Sequence, residues 1–147
     1  MYADAATIEL TRPFFAEDAS PDRSVPLMSV ARPDPRLVVL AEKCSGFLDL
    51  PENWNSYRAR RIDASLLRDG LNILTMMLSP GTRTPDVVPT ARGGIQIEWH
   101  DAERDLEIEI RGLGQYRVFH RKGDEDEEFD VLDDLSRLLP LVHSFKG

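Results

Sequence analysis

Three glutamates lie in a pattern from which carboxylate chemistry could be built. Glu98, Glu107 and Glu109 occupy alternate positions in two segments that alternate between polar and apolar residues. If these segments pair as antiparallel strands, Glu98 faces Glu107, and such a like-charge pair can mark a divalent-cation site. A metal-dependent enzyme or nuclease-like domain is therefore one hypothesis. The alternative, which we favour, is an exposed face on which arginines from the next strand offset the glutamates.

A second group of carboxylates suits the recognition of a basic surface. Between Asp124 and Asp134 there are eight carboxylates and no basic residue, whereas the rest of the chain has 18 acidic and 18 basic residues. The whole formal net charge of -8 therefore lies in this stretch, where it can steer a basic partner protein. The alternative is a solvated loop in which Asp133 and Asp134 favour the N-terminus of a following helix. The candidate partner-binding residues are Asp124, Glu125, Asp126, Glu127 and Glu128.

An aromatic and basic segment offers a third possibility. Trp54, Tyr57 and Arg61 could anchor a ligand, such as a phosphorylated metabolite, or clamp a loop against the core. We expect Trp54 to fill the space between helices and sheet, with its indole N–H bonded to a carbonyl. Arg58, Arg60 and Arg61 form the only basic cluster. They could bind a phosphate or an acidic partner, but we favour pairing with the acidic stretch of the same chain.

Other catalytic motifs are missing from the sequence. His100, His120 and His143 have none of the spacings of a metal-binding motif, and no phosphate-binding glycine loop or nucleophile elbow occurs. The single cysteine, Cys44, excludes a disulfide framework and a cysteine-based zinc site. Its place on an apolar helical stripe predicts a buried structural thiol. We therefore expect no cofactor, and we favour a non-catalytic protein over an enzyme.

Helical and strand periodicities predict the elements that would position these residues. Apolar residues recur at helical spacing in three segments, of which the last is expected to kink at Pro140. The first predicted helix begins near Asp34. The second runs from Asp63 to about Leu78, and the third runs from Asp133 to Ser144. Beyond Pro85 the period changes to two, which predicts a short strand at Val87 and Val88 and three longer strands near 95–100, 106–111 and 115–120.

Short connections between these strands predict an antiparallel meander. A hairpin loop at 101–104 places His100 opposite Asp105, and a three-residue loop at 112–114 places Asp105 opposite Arg121. The alternation is strict enough to specify this register, since a slip of one residue would expose the apolar side. The predicted class is α+β, with a sheet of three to four strands covered on one face by two or three helices.

Length and composition limit the remaining function classes. The chain has 147 residues, which we divide into an irregular, partly disordered arm at 1–33 and a single α+β domain at 34–147. No apolar run approaches the roughly 18 residues of a membrane span, and no basic stripe could follow a nucleic-acid backbone. The N-terminus lacks the pattern of a secretory signal. We expect a cytoplasmic protein that binds neither membranes nor nucleic acid.

Part of the sequence resembles a group of small bacterial proteins. Within about residues 47 to 111, the chain contains N-W-x-x-Y at 53–57, G-G-I-x-x-E-W at 93–99 and L-E-I-E-I at 106–110. The group has no assigned activity and is often encoded with accessory or mobile-element genes. Asn55 and Ser56 stand where its pattern more often has Asp and Gly. The resemblance implies an accessory partner, such as an antitoxin or immunity-like protein, rather than a housekeeping enzyme.

These observations lead to one principal hypothesis. The chain is expected to be a non-catalytic cytoplasmic interaction module whose acidic segment binds a basic partner protein, with help from the 1–33 arm. Toxins that act on nucleic acid have basic clefts that an acidic surface can occupy. An antitoxin-like neutraliser therefore fits the charge distribution.

Overall fold

A computed structural model describes residues 34–147, and the predictions made for residues 1–33 lie outside this range. In the described part, none of the helices is long and apolar enough to cross a membrane. The helices are α1 (Pro35–Phe47), α2 (Ala64–Met77) and α3 (Leu139–His143), and the strands are β1 (Asp86–Pro89), β2 (Ile95–His100), β3 (Arg104–Gly112), β4 (Gln115–Lys122) and β5 (Glu125–Leu132).

The strands form one antiparallel sheet in the order β1-β2-β3-β4-β5. The α+β class is therefore confirmed, but the sheet has five strands rather than three to four. The additional strand, β5, is made by the acidic stretch, so the interpretation of that stretch as a solvated loop is wrong. It forms because Phe129 and Val131 alternate with charged residues and lie opposite Val118 and Tyr116 of β4.

Each cross-strand pair predicted from the sequence is present. Among them are His100 with Asp105, Glu98 with Glu107, Asp105 with Arg121, and Ile110 with Tyr116. The turn after β3 differs from the prediction, because Gly112 pairs with Gln115 and leaves two residues in the turn rather than three. A register shift between Ile110 and Gly112 absorbs the extra residue, as a β-bulge does.

The first two helices begin where the sequence predicts. Asp34 caps α1 by accepting a hydrogen bond from the Arg36 N–H at 2.9 Å, and Pro35 follows in the first turn. Asp63 caps α2 in the same way. An ideal Cβ added to Gly70 of α2 would overlap the side chain of Ile95 on β2. Glycine at this position therefore allows α2 to approach the sheet closely.

The predicted C-terminal helix is shorter than expected. It begins at Leu139 rather than Asp133, with Pro140 in its first turn instead of its middle. A helix through Pro140 would lose one N–H donor and would bring the ring against the preceding turn. The expected role of Asp133 and Asp134 at a helix N-terminus is therefore wrong. Asp134 instead accepts a hydrogen bond from the Ser136 N–H at 2.9 Å in the connecting turn.

The core lies on one face of the sheet. Cys44 is fully buried within it, as the sequence predicts, and burial raises the pKa of its thiol. The largest fully buried side chains are those of Ile73, Leu74, Met77, Val87, Ile95, Ile97, Trp99, Leu106, Ile108, Ile110, Leu138 and Phe145. Residues from α2, from the inner strands and from the C-terminal segment thus share one apolar cluster.

Candidate functional site

The strands carry a polar face on the side of the sheet opposite the core. One row of cross-strand neighbours on this face runs through Asp86, Glu98, Glu107, Phe119 and Glu128. Four of these five side chains are carboxylates, and cross-strand neighbours have Cβ atoms about 5 Å apart. The row therefore concentrates negative charge across the middle of the polar face.

The predicted glutamate pair lies at the centre of this row. Glu98 has partners, because one carboxylate oxygen lies 3.1 Å from His100 Nε2 and the other accepts a hydrogen bond from Gln96 Nε2 at 2.9 Å. Glu107 has no ion pair with any residue in the range 34–147. Partial burial and the charge of Glu98 raise the pKa of Glu107. The strand register thus places on β3 a carboxylate that lacks an ion pair among the described residues.

Glu109, the third candidate metal ligand, belongs to a different group of charges. Its carboxylate oxygens lie 2.9 Å from Arg111 Nε and 3.5 Å from Arg92 Nε. Over the described range, no group of three or more His, Cys, Asp or Glu side chains is arranged to hold a metal ion. The fold brings Glu98 and Glu107 together and leaves Glu109 to the arginines. This geometry gives the metal-dependent hypothesis no support.

His100 links two carboxylates at one end of the polar face. Its Nδ1 lies 2.7 Å from Asp105 Oδ1, and its Nε2 lies 3.1 Å from Glu98 Oε1. These two hydrogen bonds favour the imidazolium and raise the pKa of His100. Asp105 also accepts a hydrogen bond from Arg121 Nε at 2.6 Å. The strand register alone predicts that these residues are neighbours, whereas the bonds that His100 shares depend on its rotamer.

The candidate partner-binding residues lie in the β4–β5 turn and along β5. We name this surface, residues 123–130, the acidic hairpin. Among residues 34–147, β5 pairs only with β4 and is therefore an edge strand of the sheet, and Asp124 to Glu128 are all exposed. Charged side chains on an edge strand oppose pairing with another sheet. The fold therefore has a structural reason to keep these charges, besides any role in binding.

Only part of the charge on the acidic hairpin is neutralised. Arg117 of β4 lies within 3.3 Å of the carboxylates of Glu128 and Asp130. Glu127 has longer contacts, 3.7 Å to His120 Nδ1 and 3.8 Å to Arg137 Nη2. The residues of the hairpin without an ion pair among residues 34–147 are Asp124, Glu125 and Asp126. These three adjacent carboxylates surround the tip of the hairpin.

The segment between α1 and α2 holds its conformation with its own hydrogen bonds. The Asn53 N–H donates to the Ala59 carbonyl at 2.7 Å. Asn55 Oδ1 accepts from the N–H groups of Tyr57 and Ala59 at 2.8 and 3.1 Å. The three residues of this segment with positive φ, between 62° and 69°, are Asn53, Ser56 and Arg58. Such angles are unfavourable for residues with a Cβ, so the hydrogen bonds must hold them.

Trp54 does not fill the space predicted for it. Its indole N–H donates to the Arg60 carbonyl at 3.0 Å, as expected. The ring is half-buried and lies outside the core cluster. Tyr57 is 84% exposed and Arg61 is also exposed. The segment therefore presents these side chains to solvent.

The basic cluster does not pair with the acidic stretch. Arg58, Arg60 and Arg61 are exposed and form no ion pair with another residue of the described range. The prediction that they neutralise residues 124–134 is therefore wrong. The acidic hairpin takes its basic partners from β4 and from the turn that follows β5, since these are adjacent to it in the sheet.

Comparisons with protein-family models, with curated proteins and with solved structures give no match to this chain. The described residues present an acidic hairpin at one edge of the sheet and a basic segment beside the β1–β2 turn. Between them lies a polar face with a carboxylate row.

Proposed function

We propose that this protein is a non-catalytic interaction module that binds a basic partner protein through its acidic hairpin. The partner class that fits best is a protein with a basic cleft, as in toxins that act on nucleic acid. This chain would then be an antitoxin or immunity-like protein of the cytoplasm. The observation that carries the proposal is that the whole formal net charge of the chain lies in residues 124–134, and six of the eight carboxylates of this stretch are exposed on the acidic hairpin.

The strand geometry supports the proposal because it fixes where the carboxylates are. Eight cross-strand pairs, from Gln115 with Leu132 to Lys122 with Glu125, tie β5 to β4. Successive side chains then point to opposite faces, and those on one face repeat at about 6.7 Å. A surface whose backbone is already ordered loses less conformational entropy on binding than a flexible loop would.

The hairpin charges that lack an ion pair within residues 34–147 also favour rapid association. Asp124, Glu125 and Asp126 surround the tip of the hairpin, where a partner can approach without displacing an internal arginine. Complementary charge raises association rates at low ionic strength and is screened over about 8 Å at physiological salt. We therefore expect the hairpin to affect the association rate more than the dissociation rate.

The test is affinity capture from extracts of the cells that encode the protein, followed by kinetics with the captured partner. Glu125→Gln combined with Asp126→Asn should lower the association rate by roughly three- to tenfold at low salt and by little at about 0.5 M salt. A matched control, Glu42→Gln with Asp49→Asn, makes the same change in net charge at exposed positions of α1 and the turn after it.

The proposal requires the two double variants to differ. One stoichiometric protein should be captured by the wild type and by the control, and captured more slowly by the hairpin variant. Equal capture rates for both variants at low salt would contradict it. Loss of capture in both would mean that only the total charge matters, which also contradicts a specific hairpin surface.

A further inference from the structure

The basic segment between α1 and α2 has the features of a second binding surface. We name residues 53–61 the basic loop. It carries Tyr57, which is 84% exposed, with the exposed side chains of Arg58, Arg60 and Arg61 close to it in the chain. Tyrosine and arginine are the residues most enriched, with tryptophan, in the energetic centres of protein interfaces.

The basic loop is held rigid at an energetic cost. Ser56 and Arg58 adopt left-handed backbone angles that a Cβ disfavours, whereas Asn53 is a residue type that tolerates such angles better. Besides the bonds made by Asn55, the Asn53 side chain accepts a hydrogen bond from the Arg58 N–H at 2.6 Å. Strain that a network of hydrogen bonds maintains on an exposed loop is typical of functional segments. Here it fixes the position of Tyr57 at the tip.

The basic loop lies beside the β1–β2 turn, whereas the acidic hairpin lies at the β5 edge of the sheet. The Arg60 N–H donates to the Ala91 carbonyl at 3.0 Å, and the Asp63 N–H donates to the Gly93 carbonyl at 2.8 Å. These bonds hold the loop against the β1–β2 turn, whereas the hairpin forms the opposite edge at β5. Four interstrand spacings separate β1 from β5, a distance on the order of 19 Å. The two surfaces therefore cannot neutralise each other within one molecule.

We propose that the basic loop binds the acidic hairpin of a second copy of this chain. Arg58, Arg60 and Arg61 would pair with Asp124, Glu125 and Asp126 of the other copy, and Tyr57 would supply the apolar contact at the centre. Each set lacks an ion-pair partner among residues 34–147, and the two sets are equal in number and opposite in charge. Because the two surfaces differ, the contact is head to tail and leaves one loop and one hairpin free in every dimer.

A nucleic acid is the less suitable occupant of the basic loop. Proteins that bind single strands combine a long basic groove with several stacking aromatics, whereas this loop offers three arginines and one tyrosine. The net charge of -8 would also repel a polyanion. A folded copy of this chain carries its positive and negative surfaces at separate places, so attraction at short range can exceed that repulsion.

Sedimentation velocity on the purified full chain tests this proposal without the partner protein proposed above, so the failure of one proposal leaves the other intact. At low salt, the sedimentation coefficient should rise between about 10 and about 500 μM protein, and the rise should disappear at about 0.5 M salt. Arg60→Glu with Arg61→Glu should weaken the contact at least about tenfold. The matched control is Arg68→Glu with Lys146→Glu, at exposed positions outside the loop.

A mixing experiment identifies the two surfaces. Arg60→Glu with Arg61→Glu keeps an intact hairpin, and Glu125→Lys with Asp126→Lys keeps an intact loop. Each variant alone should remain monomeric, and an equimolar mixture should form dimers but nothing larger, since only one contact can be made. A monomeric wild type throughout the range, or a mixture that stays monomeric, would overturn the proposal. So would retarded migration of a single-stranded oligonucleotide that depends on the loop arginines.

Discussion

The inner strands and the edge strand of this sheet are specified by different kinds of residue. In β2, β3 and β4, buried apolar side chains alternate with polar ones, and one slip of register would expose every buried side chain. In β5, only Val131 is buried, Phe129 is half-buried, and the other side chains are exposed and mostly charged. An inner strand is therefore determined by burial, whereas β5 is determined by its connection to β4 and by two apolar contacts.

This difference has a consequence for where function can lie. The apolar positions of the inner strands have little freedom to change, because each contacts several buried neighbours. At the exposed positions of the edge strand, the fold favours charged side chains that oppose pairing with another sheet, but it does not fix the sign of their charge. A surface that the fold does not demand is the place to expect selection for binding.

A matched pair of valines gives the largest test of this comparison. Val118 of β4 is fully buried and Val131 of β5 is 6% exposed, and both lie on the core side of neighbouring strands. Val118→Ala should lower the free energy of unfolding by about 2 to 3 kcal/mol, through lost burial and an unfilled cavity. Val131→Ala should cost about 1 kcal/mol, because water can reach the edge. Equal losses in urea denaturation would show that β5 is as constrained as β4.

The charges at the end of the polar face give a smaller, pH-dependent effect. Asp105→Asn removes the carboxylate shared by His100 and Arg121 and should cost about 1 kcal/mol near pH 6. The pKa of His100 is raised by folding, so its stabilising contribution is complete below about pH 6.5 and is lost as the pH rises through the folded-state value. The pKa of Asp105 is lowered, so its contribution is present above about pH 4 and is lost as the pH falls through the folded-state value.

The destabilisation by Asp105→Asn should therefore be greatest in the window between these two limits. NMR titration should show a lower pKa for His100 in this variant. Asp126→Asn is the control, because Asp126 faces Arg121 from the other side without an ion pair in the described range. It should leave the titration of His100 unchanged. An unchanged His100 titration in Asp105→Asn would mean that the observed hydrogen bond contributes nothing in solution.

The sequence predicts the inner part of the fold well, because the inner strands have a strict apolar alternation that the edge strand β5 does not have. The registers of β2, β3 and β4 follow from strict alternation and short connections, and the starts of α1 and α2 follow from Asp34 and Asp63 as caps. For β5 the same alternation rule applies, but Phe129 and Val131 are its only apolar signal before Leu132. A run of carboxylates has low strand propensity, so the composition of the segment conceals its pairing.

The candidate surfaces could be predicted only in part. Sequence alone identifies the residues of the acidic hairpin and the basic loop. It does not show that the hairpin lies at the β5 edge and the loop beside the β1–β2 turn. The conformation of the loop depends on side-chain bonds of Asn53 and Asn55 to nearby backbone groups. Such bonds have no periodic signature. The expectation that Trp54 packs in the core fails for the same reason.

The smallest predicted effect concerns two glutamates that are two positions apart on β3 and both lie on the polar face. Glu107 lies opposite Glu98 and has no ion pair with residues 34–147, whereas Glu109 is paired with Arg111 and Arg92. The pKa of Glu107 is raised by folding, so its favourable contribution is complete below about pH 4.3, the unfolded value, and is lost as the pH rises through the folded-state value. At pH 7, Glu107→Gln should therefore increase the free energy of unfolding by roughly 0.5 kcal/mol. Glu109→Gln should lower the free energy of unfolding by a similar amount, because it removes an attraction instead of a repulsion.

Urea denaturation at pH 7 and pH 4 measures both effects, and the gain in stability from Glu107→Gln should shrink at the lower pH. If both substitutions changed stability in the same direction, the polar face would respond to total charge rather than to the strand register that separates these two residues.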